Sequence, residues 1–349
     1  MALIRVQPKT MEKNMAVSKN GTESKETRGL SQEFMDDLSK KEGILVPILE
    51  AVKNDNNLIL EIRNNYIYIY YRGGVLLKIE QKSNKNNYEI EKDTILGYMK
   101  KTTKFNEVPK QEKLFNYLPK KYIISTKKDA KDWADNFFAI KSIMDNKLSK
   151  KNNLEREFQQ LVVRENNILG KAKDTDYYII DIEYKYKKMK PDLVAVRWDS
   201  ANPQNNWRLS LIEMKYGYSS ISGKSGLLKH ILDADDFLSD LERTRIFKNE
   251  MLGIFKQKVD LGLMDFGNDI KKIAKIIETM DFNKYKVEYI FLLAGYKQKS
   301  QELKNAIIDI PKIKNVEIKF AAASFMGYAL YSSSMLNLEQ IKEKLKLTQ

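Results

Sequence analysis

The sequence predicts a mixed α/β domain preceded by a smaller α+β region, and three observations carry that prediction. Runs rich in β-branched and aromatic residues gather in two places, around residues 58–80 and 176–215. Turn pairs, Asn64-Asn65 and Gly73-Gly74, separate the runs of the first group and mark an antiparallel meander. Segments with helical apolar spacing flank the second group, so the later half reads α-β-β-β-α-β-(α)-β. No internal repeat is visible.

Taken in order, residues 1–30 are polar, lack the apolar stretch of a signal peptide and read as a mobile tail. Ser31 is placed to cap a helix carrying Phe34 and Leu38, with Ile44, Ile48 and Val52 continuing the apolar pattern. The meander follows as Leu58–Arg63, Tyr66–Arg72 and Val75–Glu80, with Tyr88–Ile90 and Tyr122–Ser125 as extensions. A helix from about Asp129 to Leu148 closes this α+β region, which spans residues 31–149. The second domain, residues 150–349, opens with a helix over Leu154–Leu169 that gathers Leu154, Phe158, Leu161 and Val162 on one face. Strands Asp176–Tyr186, Asp192–Trp198 and Arg208–Lys215 come next. A helix containing Leu227, Ile231, Phe237 and Leu241 follows, then helical sequence through Ile270, Ile273, Ile277 and Met280. Val287–Tyr296 and Val316–Ala323 read as buried strands.

Composition narrows the chemistry. The chain has 349 residues, a length that suits two domains, and 42% are hydrophobic, enough for a sizeable core. The absence of cysteine removes disulfides, Cys-ligated zinc, iron–sulfur clusters and thiol nucleophiles, and points to a reducing, cytoplasmic setting. His230 is the single histidine, so multi-histidine metal sites are excluded; it is expected on a helix, at the surface or partly buried. The most apolar stretches, Tyr289–Tyr296 and Phe320–Tyr331, fall short of the roughly 18 apolar residues that a spanning helix needs. Lys and Arg number 61 against 47 Asp and Glu, so 61 − 47 gives a net charge of +14. That charge suits a polyanionic partner, although a lysine-rich genome would produce the same value.

The stretch that carries chemistry is Pro191-Asp192 followed by Glu213-Met214-Lys215. Asp192 opens the apolar strand Leu193–Val196, and Glu213 and Lys215 end the strand Leu209–Ile212. Side chains alternate along a strand, so Glu213 and Lys215 share one face and Met214 takes the other. Charges at the end of an apolar strand are costly to bury without partners. Asp192 and Glu213 form a donor set for a hard divalent cation, and Lys215 beside them is placed to orient water or to meet charge on a phosphate.

With those residues in place, the sequence resembles the PD-(D/E)XK nuclease superfamily over roughly Leu154 to Tyr296. Pro191-Asp192 matches the family's PD, Glu213-Met214-Lys215 matches its ExK, and the element order matches its restriction-endonuclease-like αβββαβ core. The resemblance implies Mg²⁺ as cofactor, with Mn²⁺ as a substitute, and cleavage of DNA in restriction, phage defence or repair. It also implies a glutamate on the preceding helix. Glu155, four residues before Gln159, and Glu157 both qualify, and a helical wheel sets them about equally far from the centre of the apolar face. The expected catalytic set is therefore Asp192, Glu213, Lys215 and one of Glu155 and Glu157, with Asp192, Glu213 and Glu155 holding the metal.

Lys187, Lys188 and Lys190 sit just upstream of Asp192 among aromatic residues, either as phosphate contacts or as a solvated strand end. The loop Gly217–Ser225 imitates a P-loop but has five residues between its first glycine and Gly223-Lys224, where that motif has four. An NTPase is therefore disfavoured, while Lys224 still stands as a nucleic-acid contact. Tyr66, Tyr68 and Tyr70 share one strand face and read as packing residues before base-stacking ones. DNA is the expected partner; RNA and self-association as a homodimer stay open, as does a binding module that keeps the fold without turnover.

Overall fold

Two sheets, each with its own helices, organise the chain. The structure is a computed structural model that describes residues 28–82, 87–99, 114–148, 154–167, 175–198, 207–217, 221–223, 226–264, 266, 270–295, 300–323, 330 and 335–347. Of the expected tail, residues 1–27 lie outside the described residues, and residues 28–30 belong to the fold. Gly29 already bridges to Asn64, and Leu30 is buried.

Ser31 caps α1 (Gln32–Ser39), its hydroxyl accepting from the Phe34 N–H at 3.2 Å. The apolar pattern that follows belongs to a second helix, α2 (Val46–Lys53), because the chain turns at Gly43, where a Cβ would collide with the Asp37 carbonyl. Strands β1 (Leu58–Ile62), β2 (Tyr66–Tyr71), β3 (Gly74–Gln81), β4 (Tyr88–Ile90) and β5 (Ile123–Ile124) form an antiparallel sheet in chain order, as the turn pairs predict. Helix α3 (Lys92–Met99) was not expected. The single helix expected over 129–148 is two, α4 (Lys127–Ala134) and α5 (Phe137–Leu148), broken where the Asn136 amide donates to the Asp132 carbonyl at 2.8 Å.

In the second region α6 (Leu154–Asn167) precedes β6 (Tyr177–Ile182), β7 (Leu193–Arg197) and β8 (Arg208–Tyr216). Helices α7 (Leu227–Ser239), α8 (Leu241–Asp260) and α9 (Ile270–Glu278) lead to β9 (Val287–Ala294). Then come α10 (Gln301–Ile308), β10 (Val316–Ala323), β11 (Leu336–Asn337) and α11 (Leu338–Lys344). The six strands run in the order β11-β10-β9-β8-β7-β6. β6, β7 and β8 are antiparallel neighbours, and β8, β9 and β10 are parallel. The protein is thus α/β, with an N-terminal antiparallel five-stranded sheet and a mixed six-stranded sheet between helices.

Two expectations need correction here. β6 stops at Ile182 instead of Tyr186, because Glu183, whose N–H makes a last bond to the Asp192 carbonyl at 2.6 Å, adopts a positive φ of 54° that turns the chain away from β7. Leu241 belongs to a new 20-residue helix, whose first turn is capped by Asp240, and its side chain is 81% exposed, not core.

The sheet is buried on both faces. Phe158, Val162 and Val163 of α6 pack against Ile179, Ile212, Met214, Ile290 and Leu292. On the opposite face, Ile231 and Phe237 of α7 and Phe255 of α8 share a core with Leu209, Leu211, Tyr289 and Phe291. The two regions are also tied together directly. Glu61 on β1 accepts from Lys258 of α8 at 2.8 Å, and Arg28 and Arg63 both bond Asp181 on β6. The β2–β3 turn rests on α6, where Gly73 N–H donates to Gln160 Oε1 at 2.7 Å. Gly73 has φ +71°, and a Cβ there would lie 2.6 Å from the Arg156 backbone, so only glycine lets the turn approach this closely. Among the described residues, no helix is long and apolar enough to cross a membrane.

Candidate active site

Antiparallel pairing sets Leu193 opposite Ile212, which brings Asp192, one residue earlier, beside Glu213. The Asp192 carboxylate accepts from the Met214 N–H at 2.8 Å, pinning it to the backbone of β8. Alternation then acts as expected. Met214 enters the core beneath α6, while Lys215 Nζ donates to Glu213 Oε1 at 2.6 Å, both side chains being only 4% exposed. The Tyr216 ring, stacked on Phe158 with centroids 4.8 Å apart, fixes the end of β8 to α6.

The cluster is electrostatically unsatisfied. Burial pushes the Asp192 carboxyl well above the ordinary carboxylate range, and the nearby charges of Glu213 and Glu155 push it further. Burial also drives Glu213 up to about 7, against the pull of Lys215, with Glu155 adding to the rise. Glu213 Oε2 is buried and has no hydrogen-bond partner. The fully buried phenol of Tyr289, raised by burial and then by Glu213, Asp192 and Asp233, stands beside the two carboxylates.

The structure separates the two glutamates of α6. Glu155 lies near enough to Asp192 and Glu213 to disfavour their charges. Glu157 turns toward the N-terminal region, where Arg72 holds its Oε1 at 2.9 Å and also bonds Asp145 at 2.8 Å. That turn of Glu157 is set by Arg72, which arrives from 85 residues away in sequence and is invisible on a helical wheel.

His230 is the residue that the sequence leaves unassigned. It stands on the first turn of α7 with Nε2 3.1 Å from Glu213 Oε1 and 3.3 Å from Lys215 Nζ, its side chain 23% exposed. The signal was its place on the helix that follows the Glu-x-Lys strand, but which face of that helix meets the sheet is decided by packing. Lys187, Lys188 and Lys190 are exposed around a tight Tyr186–Met189 turn just before Asp192, whereas Tyr184 and Met189 are buried. Lys224 lies outside the described residues.

Among the described residues, no three histidine, aspartate or glutamate side chains converge closely enough to hold a metal ion by themselves. The donor chemistry nevertheless fits a hard cation. Two buried carboxylates lie side by side, both disfavour their charged forms, and one oxygen lacks any partner. Comparison with family models, with curated proteins and with solved structures finds no match for this chain.

Proposed function

We propose that the chain is a divalent-cation-dependent phosphodiesterase that cleaves nucleic acid, most readily as a DNA endonuclease with a restriction-endonuclease-like core of α6-β6-β7-β8-α7-β9. The observation that carries this reading is the partnerless, buried Glu213 Oε2 beside Asp192, with Lys215 in the same cluster. Glu61, in its structural pair with Lys258, also keeps a buried oxygen without a hydrogen bond, but Arg63 faces that oxygen at 3.8 Å. At Glu213 the unsatisfied oxygen stands instead beside a second raised carboxylate at the strand ends, the pattern that functional sites favour.

Asp192 and Glu213 would hold Mg²⁺ or Mn²⁺, and Glu155, which does not converge with them in the metal-free protein, would complete the set by moving closer. When bound, the ion polarises a phosphoryl oxygen and lowers the pKa of attached water. Lys215, an ammonium with three donors, orients the attacking water or meets the growing charge on the phosphate. Met214 N–H holds Asp192 in place through Oδ2, and the buried walls of the site strengthen each of these interactions. Exposed Lys187, Lys188 and Lys190 offer phosphate contacts at its rim. The absence of cysteine suits a cytoplasmic setting, and restriction, phage defence or repair are the roles in keeping with the resemblance.

Plasmid nicking with Mg²⁺ or Mn²⁺ tests the proposal. Asp192→Ala and Lys215→Ala should each lower the rate by about a thousandfold while circular dichroism stays unchanged. Undiminished nicking by a folded Asp192→Ala protein removes the assignment.

A further inference from the structure

Lys215 carries three N–H donors and no acceptor, and its side chain is nearly sealed from water. Two atoms face it, Glu213 Oε1 at 2.6 Å and His230 Nε2 at 3.3 Å, the latter an acceptor in the tautomer that carries its proton on Nδ1. Under the nuclease reading, on which this inference rests, Glu213 turns its charge to a divalent cation. The ammonium then has a positive neighbour and its stronger acceptor engaged. A buried ammonium with no second acceptor is driven out of the site. His230 supplies that acceptor from the opposite layer of the fold, because Leu227, Ile231 and Ala234 anchor α7 in the core and fix where its first turn lies. Nε2 also lies 3.1 Å from Glu213 Oε1, but a neutral ring nitrogen either accepts or donates. With Nε2 accepting from Lys215, Nδ1 carries the proton.

We propose that His230 is a positioning residue: its Nε2, 3.3 Å from Lys215 Nζ, accepts from the ammonium and keeps that lysine in the site while Glu213 serves a divalent cation. This role separates the duties of two neighbours. Glu213 meets the ion, His230 meets the lysine, and the two positive groups sit close together without competing for one carboxylate oxygen.

The test is a double-mutant cycle read by calorimetric titration of the full chain with Mn²⁺, with plasmid nicking in parallel. His230→Leu should weaken Mn²⁺ binding about tenfold, the scale of one hydrogen bond to a charged group, because Lys215 then stays on Glu213. His230→Gln, which keeps an acceptor at similar reach, should restore most of the affinity and of the nicking. In a Lys215→Met background, His230→Leu should change the affinity no further. If the Leu variant does not fold, His230→Asn, whose shorter amide falls short of Lys215, takes its place. Equal losses with and without Lys215, or unchanged affinity in a folded His230→Leu protein, overturn the role of His230. A wild type that binds Mn²⁺ and shows the coupling but nicks no DNA overturns the nuclease reading alone. A wild type that binds no Mn²⁺ overturns both.

Discussion

Glu213 and Glu288 are buried carboxylates on neighbouring strands of one sheet, yet their surroundings are opposite in kind. Glu288, at the start of β9, has both oxygens occupied: Lys319 at 2.6 Å and Arg197 at 2.7 Å on one, Ser210 at 2.8 Å and Tyr177 at 3.1 Å on the other. Burial pushes its pKa up, but Lys319 and Arg197 outweigh that effect and hold it below the ordinary value. Glu213, near the end of β8, has one oxygen bonded by Lys215, another with no partner, and a pKa driven up to about 7. Burial alone therefore says little about a carboxylate's purpose. Glu288 has every oxygen bonded and a lowered pKa, whereas Glu213 keeps one oxygen unbonded and a raised pKa beside Asp192.

The largest test of this contrast is stability. Glu288→Gln leaves Arg197 and Lys319 without their counter-charge and should cost about 3 kcal/mol in urea unfolding. Glu213→Gln, by contrast, removes a carboxylate whose charge burial already disfavours and strands only Lys215, so it should cost clearly less than Glu288→Gln in the metal-free protein. Comparable losses in the two would erase the distinction. Next in size is the difference within α6. Glu155→Gln should remove most Mg²⁺-dependent nicking, and Glu157→Gln should be mild, as single-turnover rates across a Mg²⁺ titration will show. A severe defect confined to Glu157→Gln would reverse the assignment.

The pH dependence of stability should split by sign. Glu213 has a folded pKa raised above its ordinary 4.5, so its contribution is complete below about 4.5 and is lost as pH rises through about 7. Glu288 has a lowered folded pKa, so its contribution is present above 4.5 and is lost as pH falls through the folded value. In metal-free protein, Glu213→Gln should flatten the neutral-side decline and Glu288→Gln the acid-side one, measured as thermal midpoints from pH 3 to pH 9. The smallest effect is expected at Arg72→Ala. Its pairs with Asp145 and Glu157 are well exposed to solvent, so unfolding should shift by less than about 1 kcal/mol.

Much of the site was legible because its logic is local. Strand alternation fixes Glu213 and Lys215 on one face, and the apolar runs beside them fix where the strands end. The meander of the N-terminal region was equally legible, since Asn64-Asn65 and Gly73-Gly74 mark its turns. What escaped depends on distant chain. The turn of Glu157 away from Asp192 and Glu213 needs Arg72, and the contact of His230 with Lys215 needs the packed face of α7. The overlong reading of β6 failed at Glu183, whose positive φ has no glycine to announce it. The fusion of α7 with Leu241 failed because apolar spacing continues through Asp240, which caps a new helix.

The turn at Gly73 bears on how such a chain can be rearranged. A cut near residue 149 looks natural in the sequence, but it would strip α6 of the backbone donor at Gly73 and of Arg72. It would also strand Lys258 without Glu61 and Asp181 without Arg63. The halves are therefore not interchangeable cassettes. A different N-terminal region could be grafted onto this sheet only if it brought the same turn and the same buried counter-charges.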